Sequence, residues 1–173
     1  AIDNTALENL TRLAMRDERS AYIRVARKFP RKVYGADAKF ELGKANTVRE
    51  GSDMTIIASG LMVAWSLDAA EMLEKEGINV KVLDMHTIKP IDREAVIAAA
   101  KMGPVVTAEN ASIVGGLGSA VAEVMAEEGI ATKFERVGIR DRYGVVGFLK
   151  DISEELEMTA DDIAAACRRV MGK

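Results

Sequence analysis

The sequence predicts an open, three-layer α/β/α sandwich built on a mostly parallel sheet. From Thr55 onward, short β-rich apolar runs alternate with longer amphipathic stretches in units of about 25 residues, as strands joined by right-handed crossover helices do. Fourteen glycines against three prolines supply turns where strands hand over to helices. Hydrophobic residues make up 49% and charged residues 29% of the 173 positions. That is the balance of a globular domain able to bury a core without disulfide or metal staples.

Each element follows from local pattern. Leu7, Leu10, Ala14 and Met15 recur at helical spacing over Asn4–Arg16, with Asp3 or Asn4 available as N-cap. Residues 21–26 alternate like a strand, and 27–31 form a cationic loop closed by Pro30. Residues 34–45 are turn-like and read as a linker, within which 39–43 could lie against a neighbouring surface. Residues 55–59 form an apolar strand ending at Gly60, and 62–76 an amphipathic helix stopped by Gly77. A second strand over 80–83 leads to a helix over 92–102 capped by Asp92. A third strand (104–108), a third helix (116–128) and a fourth strand (132–137) follow. Thr159 opens the last helix, to Met171, with Asp162 three residues on, close to a capping box. The helix–strand pair over 1–33 is too small to bury a core of its own.

Charge and composition narrow the function classes. The net charge of −3 divides unevenly: residues 1–33 carry eight Lys/Arg against four acids, whereas the remainder is acidic. One Cys and one His exclude an intramolecular disulfide and leave too few ligands for a zinc or iron–sulfur site, which fits a reducing cytoplasm. No metal site is expected. No apolar run approaches the roughly 18 residues that span a bilayer, and no secretory h-region opens the chain. A membrane is not expected as partner, and the basic opening could mark an anion site, an RNA-binding arm or the edge of a different domain. A start at Ala1 rather than Met points to a processed protein or a fragment.

Ligands of open α/β sheets bind beyond the carboxyl ends of the strands. Those ends carry Ser59 and Gly60, Asp84 to Thr87, Glu109 and Asn110, and Arg140 to Arg142. Gly115, Gly116 and Gly118 form a candidate anion-binding loop at a helix start. The competing reading is a tight turn that lets the helix pack on the sheet. A dinucleotide fingerprint fails there, because its third glycine position is Val121. His86 is either a general base or a structural side chain, with no recognisable Ser or Cys nucleophile paired to it. Asp84 and Glu109 could form a carboxylate pair, or cap the helices that follow them. Cys167 reads as a buried structural thiol. In the loop after the last strand, one of Arg140 and Arg142 could pair with Asp141 while the other reaches a partner or an anion. Arg24 and Arg27, with Lys28, could clamp a phosphate through guanidinium forks but do no chemistry alone.

Three motifs in order carry a family resemblance. The run through Asp84 and Thr87-Ile88-Lys89-Pro90-Ile91-Asp92, the run from Val106 to Asn110 with Ile113 to Glu123, and the loop Gly138 to Gly144 resemble the C-terminal domain of transketolases over residues 46–173. Residues 1–33 resemble the last helix and strand of that family's pyrimidine-binding domain. The resemblance implies a C-terminal part of a transketolase, or of a split transketolase subunit, from a dimeric enzyme using thiamine diphosphate and Mg²⁺. Such an enzyme moves two-carbon ketol units between sugar phosphates. It also implies that Arg27, with Arg24 as auxiliary, holds a substrate phosphate. The family's Gly-Asp-Gly…Asn motif for metal and diphosphate does not occur here. No residue is therefore assigned to catalysis, and the chain alone is expected to be inactive and to bind no cofactor. Its expected partners are the remaining transketolase domains or an N-terminal subunit, and a second copy, with no nucleic acid. Gly144 is followed by Val145-Val146-Gly147, where the family loop commonly continues Glu-Ser-Gly. Deoxyxylulose-phosphate synthases and 2-oxoacid dehydrogenase β subunits are the related alternatives. A non-catalytic interaction module or a nucleotide-binding regulatory module is the alternative of another class.

Overall fold

A computed structural model describes residues 1–26 and 31–173. Strands β1 (Asn46–Arg49), β2 (Met54–Ala58), β3 (Val80–Asp84), β4 (Val105–Ser112) and β5 (Phe134–Ile139) form one sheet in the order β1-β3-β2-β4-β5. All pairings are parallel except that of β1, which runs antiparallel to β3 at one edge. β2 lies between β3 and β4 with layers on both faces, so all five of its residues are buried and its sequence is almost wholly apolar. Alternation along the strands divides the core. Ile56, Ala58, Val82 and Val106 join one cluster with helices α2 (Met62–Glu74) and α6 (Ala160–Met171). Ile57, Leu83 and Val105 join a second with α3 (Arg93–Met102) and α4 (Leu117–Glu127). Three layers result, as the alternating pattern predicts.

Helix ends are set by the residues that the spacing singles out. Asp92 caps α3 through its Oδ1, which accepts from Ala95 N–H at 3.1 Å, while its Oδ2 accepts from Ala45 N–H at 2.8 Å. Thr159 and Asp162 form a full capping box at the start of α6, and Gly172 ends that helix with a left-handed φ of 77°. Cys167 is buried in α6, and desolvation pushes its thiol up to about 12, as an inert structural side chain requires.

The amino-terminal helix α1 (Asn4–Arg16) forms over the expected residues, capped by Asp3. Ile2, Ala6 and Leu10 enter the same cluster as α2 and α6. Tyr34 is buried in that cluster, and Phe40 and Leu42 pack against it. Residues 21–26 form no strand, contrary to their alternation. A strand needs a ladder partner for its amides and carbonyls, and none of the five strands pairs with this segment. Two elements escape the sequence pattern. β1 is a four-residue, half-exposed edge strand with a bulge between Thr47 and Arg49, too short to show alternation. The short helix α5 (Leu149–Glu155) buries only Ser153 fully and so lacks a broad apolar face.

If α1 is part of the core, Leu10→Ala should lower the unfolding free energy by about 2–3 kcal/mol, the range for truncating a buried leucine. Urea denaturation monitored by circular dichroism measures this. A loss near zero would mean that α1 is only loosely applied to the surface.

Candidate functional site

A cavity of about 900 Å³ opens at the carboxyl ends of β2, β3 and β4. Ser59 and Gly60 follow β2, His86 and Thr87 follow β3, and Glu109 and Asn110 lie in the second half of β4; all six line it. Residues 19–26, Leu10 and Ala14 stand among its other walls. The cavity therefore lies where an open sheet presents ligands, roofed by the segment that fails to pair as a strand.

Glu109 organises the β4 side. Its carboxylate is 1% exposed and accepts from Leu117 N–H at Oε2 and from Gly118 N–H at Oε1, both at 2.8 Å. Burial raises the Glu109 pKa, and the amides of Gly118 and Leu117 oppose that rise. Gly115 N–H donates to Ser119 Oγ at 2.9 Å. The amides of Gly115, Leu117 and Gly118 at the candidate anion-binding loop are thus engaged within the chain, two of them by an anion the chain itself supplies. Gly116 is demanded by this arrangement, since a Cβ there would stand 2.0 Å from Glu109 Oε2 and 2.6 Å from Ser112 O. Of the two sequence readings of Glu109, helix capping is the one realised. It makes no hydrogen bond to Asp84.

Asp84 ends β3 with no exposed surface. Its Oδ2 accepts from Tyr34 Oη at 2.8 Å, while its Oδ1 is buried without a partner among the described residues. Tyr34 is held in turn by Asp3, whose Oδ2 accepts from both Val33 N–H and Tyr34 N–H at 2.8 Å. The Tyr34 ring meets Phe40 edge-on at 4.7 Å, and Phe40 meets His86 at 5.6 Å. His86 Nδ1 lies 2.9 Å from Thr87 Oγ1, and its buried Nε2 has no partner among the described residues. Burial lowers His86 to about 4, so the imidazole is neutral near pH 7 and poorly matched to general acid work there.

The basic residues separate. Arg27, with Lys28, lies outside the described residues. Arg24 stands over the end of β4, where its guanidinium donates to the carbonyl oxygen and, at 3.0 Å, to Oδ1 of Asn110. Arg142 does not pair with Asp141. Asp141 adopts a left-handed φ of 40° that turns the loop, and Arg142 bonds to the backbone carbonyl of Glu155 beside its carboxylate. Among the described residues no three His, Cys, Asp or Glu side chains are grouped to hold a metal ion. No helix among them is long and apolar enough to cross a membrane. Sequence reasoning missed the Tyr34–Asp84 bond because fifty residues separate the partners. It missed Asn110 as the seat of Arg24 because a side-chain amide carries no pattern of its own.

Comparison with known proteins adds an independent line. The family model "Transketolase, C-terminal domain" matches residues 43–163. A 6-deoxy-6-sulfo-D-fructose transketolase subunit of Clostridium sp. (strain MSTE9) is 47% identical over 150 residues, covering 86% of this chain and 46% of that protein. A 1-deoxy-D-xylulose-5-phosphate synthase of Heliobacterium modesticaldum is 37% identical over 130 residues, or 75% of this chain and 20% of that protein. A solved split-gene transketolase, an inactive β4 tetramer, superposes with a TM-score of 0.94 at 40% identity. The match covers 98% of this chain and 56% of that one. The chain thus spans about half the length of the subunit relatives it matches.

Two outcomes follow from the buried carboxylates. Glu109→Gln keeps the volume but leaves one oxygen for two amides, so it should cost about 1.5–3 kcal/mol and speed hydrogen exchange at Leu117 and Gly118. Exchange measured by NMR that stays unchanged would contradict the capping role. Asp84 is raised by burial from 3.8 to about 6, with the Tyr34 hydroxyl opposing the rise. A carboxyl whose pKa rises on folding contributes stability at low pH that is lost as pH climbs through the folded value. Asp84→Asn does not titrate and still offers Tyr34 an oxygen. Its stability relative to the wild type should therefore improve between about pH 4 and pH 7, by on the order of 3 kcal/mol. Urea unfolding at a series of pH values reads this directly, and a pH-independent difference would count against it.

Proposed function

The chain belongs to the transketolase C-terminal domain family, and we propose that it works as the C-terminal part of a thiamine-diphosphate-dependent enzyme. That enzyme moves two-carbon ketol units between sugar phosphates. The observation that carries this reading is the likeness, over nearly the whole chain, to a split-gene transketolase. Residues 1–33 then belong to the end of a preceding pyrimidine-binding domain, 34–45 link it, and 46–173 form the C-terminal domain. The unpaired path of 21–26, with Tyr22 exposed, supports that division, since a strand awaiting its sheet would look this way.

The residues present do not fit the cofactor. No metal-binding cluster occurs among the described residues, and Glu109 takes two of the amides that a diphosphate would need. Thiamine diphosphate and Mg²⁺ are accordingly held by the rest of the protein, and no chemical step is assigned to this chain. Its contribution is the cavity wall and Arg27 as the phosphate holder, with Arg24, which Asn110 anchors, as auxiliary. Its partners are the remaining transketolase domains or an N-terminal subunit in the cytoplasm. It also self-associates, as the neighbouring split-gene protein does in its inactive β4 tetramer.

Purified chain supplied with thiamine diphosphate, Mg²⁺ and sugar phosphates should show no ketol transfer, and turnover by the chain alone would overturn the proposal. In the complete enzyme, Arg27→Ala should raise KM for a phosphorylated sugar roughly 10- to 100-fold, the equivalent of one charged hydrogen-bonding group. Steady-state assays with phosphorylated and unphosphorylated acceptors check this, the latter being unaffected.

A further inference from the structure

Residues 19–26 cross the strand ends without joining the sheet, yet one of them is gripped. Two guanidinium nitrogens of Arg24 donate to Asn110, one to its carbonyl oxygen and one, at 3.0 Å, to its Oδ1. Among the described residues Arg19 bonds back to Asp17, and the contacts with Asn110 are the remaining hydrogen bonds of residues 18–26. Asn110 is presented by a bulge. Between the ladder pairs Ala108–Val137 and Ser112–Ile139, strand β4 sets Glu109, Asn110 and Ala111 against Gly138 alone. A bulge takes residues out of the ladder and re-aims them, which turns both oxygens of Asn110 toward Arg24. Position 138 tolerates this as glycine. A Cβ there would stand 2.9 Å from Ile113 Cγ2 and 3.0 Å from the carbonyl oxygens of Glu109 and Ala111. The residue before Asn110, Glu109, is locked to the start of α4 by the Leu117 and Gly118 amides. Asn110 therefore stands on a fixed support.

A guanidinium engaged in this way is poorly placed to hold a ligand as well. Two of its nitrogens are committed to one residue in a planar fork. Its charge also lies close to a buried acid: burial raises the Glu109 pKa, and Arg24 is among the groups opposing that rise. What the clamp does fix is the course of the chain. Arg27 follows three residues later in the sequence, and three residues span at most about 10 Å even when fully extended. A main chain held at Arg24 thus limits where the Arg27 side chain can be delivered.

We propose that Asn110 is a positioning residue for the substrate phosphate, because by clamping Arg24 it places the segment that leads to Arg27. The proposal rests on the phosphate role given to Arg27 above and makes Arg24 auxiliary by placement, not by contact. In the complete enzyme, Asn110→Ala should raise KM for a phosphorylated acceptor about 3- to 10-fold, the effect of one hydrogen bond of ordinary net strength, with kcat changed less than about twofold. The inhibition constant of inorganic phosphate should weaken by the same factor, while KM for the unphosphorylated acceptor stays where it is. Asn110→Asp keeps an oxygen for the guanidinium and should restore the wild-type KM. In an Arg27→Ala background, Asn110→Ala should add nothing, since no phosphate holder is left to misplace. Should Asn110→Ala fail to fold, Arg24→Ala at an exposed position replaces it with the same expectations. An unchanged KM, an equal rise for both acceptors, or a rise that persists without Arg27 overturns the positioning role and leaves the reading of Arg27 standing. An Arg27→Ala enzyme with unchanged KM for the phosphorylated acceptor overturns both.

Discussion

Glu109 occupies the position at which open α/β sheets most often offer a ligand their free amides, and the geometry around it follows from that occupation. Its carboxylate is buried in the second half of β4 and engages two amides at the start of α4. Those contacts set where α4 begins, require the absence of a side chain at Gly116, and bring Gly118 close against Thr107 and Arg136. An anion supplied from within also uses donors that a glycine-rich helix start would otherwise present to phosphate. The same residues that look like a ligand loop thereby become a packing device.

On the opposite side of the cavity, a second buried acid ties the amino-terminal segment to the sheet. Asp3 caps α1 with one oxygen and holds the backbone of Val33 and Tyr34 with the other. Tyr34 passes the connection to Asp84 at the end of β3. The Phe40 ring meets Tyr34 edge-on and His86 at a tilt beside it. Buried hydrogen bonds of this kind are directional, so they orient α1 and the segment after it over the strand ends where apolar packing alone would allow sliding. The cavity has its shape because Glu109 and Asp3 are satisfied within the chain, as is Asp84 apart from one oxygen.

A chain that covers about half of its subunit relatives is best understood by what it leaves open. The described residues contain a complete three-layer core. They also contain an unpaired extended segment roofing a cavity, and an apolar loop after the last strand. Unpaired backbone and exposed aromatic rings are both costly features to leave in water.

Much of this was legible in the residues. The strand–helix alternation set the layers, Asp3, Asp92 and Thr159 announced their helices, and three ordered motifs pointed to the family. These signals are local: a cap lies within one turn of what it caps, and an apolar period depends only on its own element. The failures share the opposite character. Residues 21–26 carry strand alternation, but a strand is decided by a partner, and no strand of the sheet accepts it. The glycine loop carries the spacing of an anion site, but Glu109 seven residues before Gly116 was one of two possible uses of an acid until the fold turned it inward. By itself the sequence determined the fold class, the positions of five of the six helices and the kinship, because each depends on short-range pattern. Which amides remained free, where Arg24 came to rest and which apolar residues stayed in water were decided by tertiary structure alone, because each depends on groups brought together from distant parts of the chain.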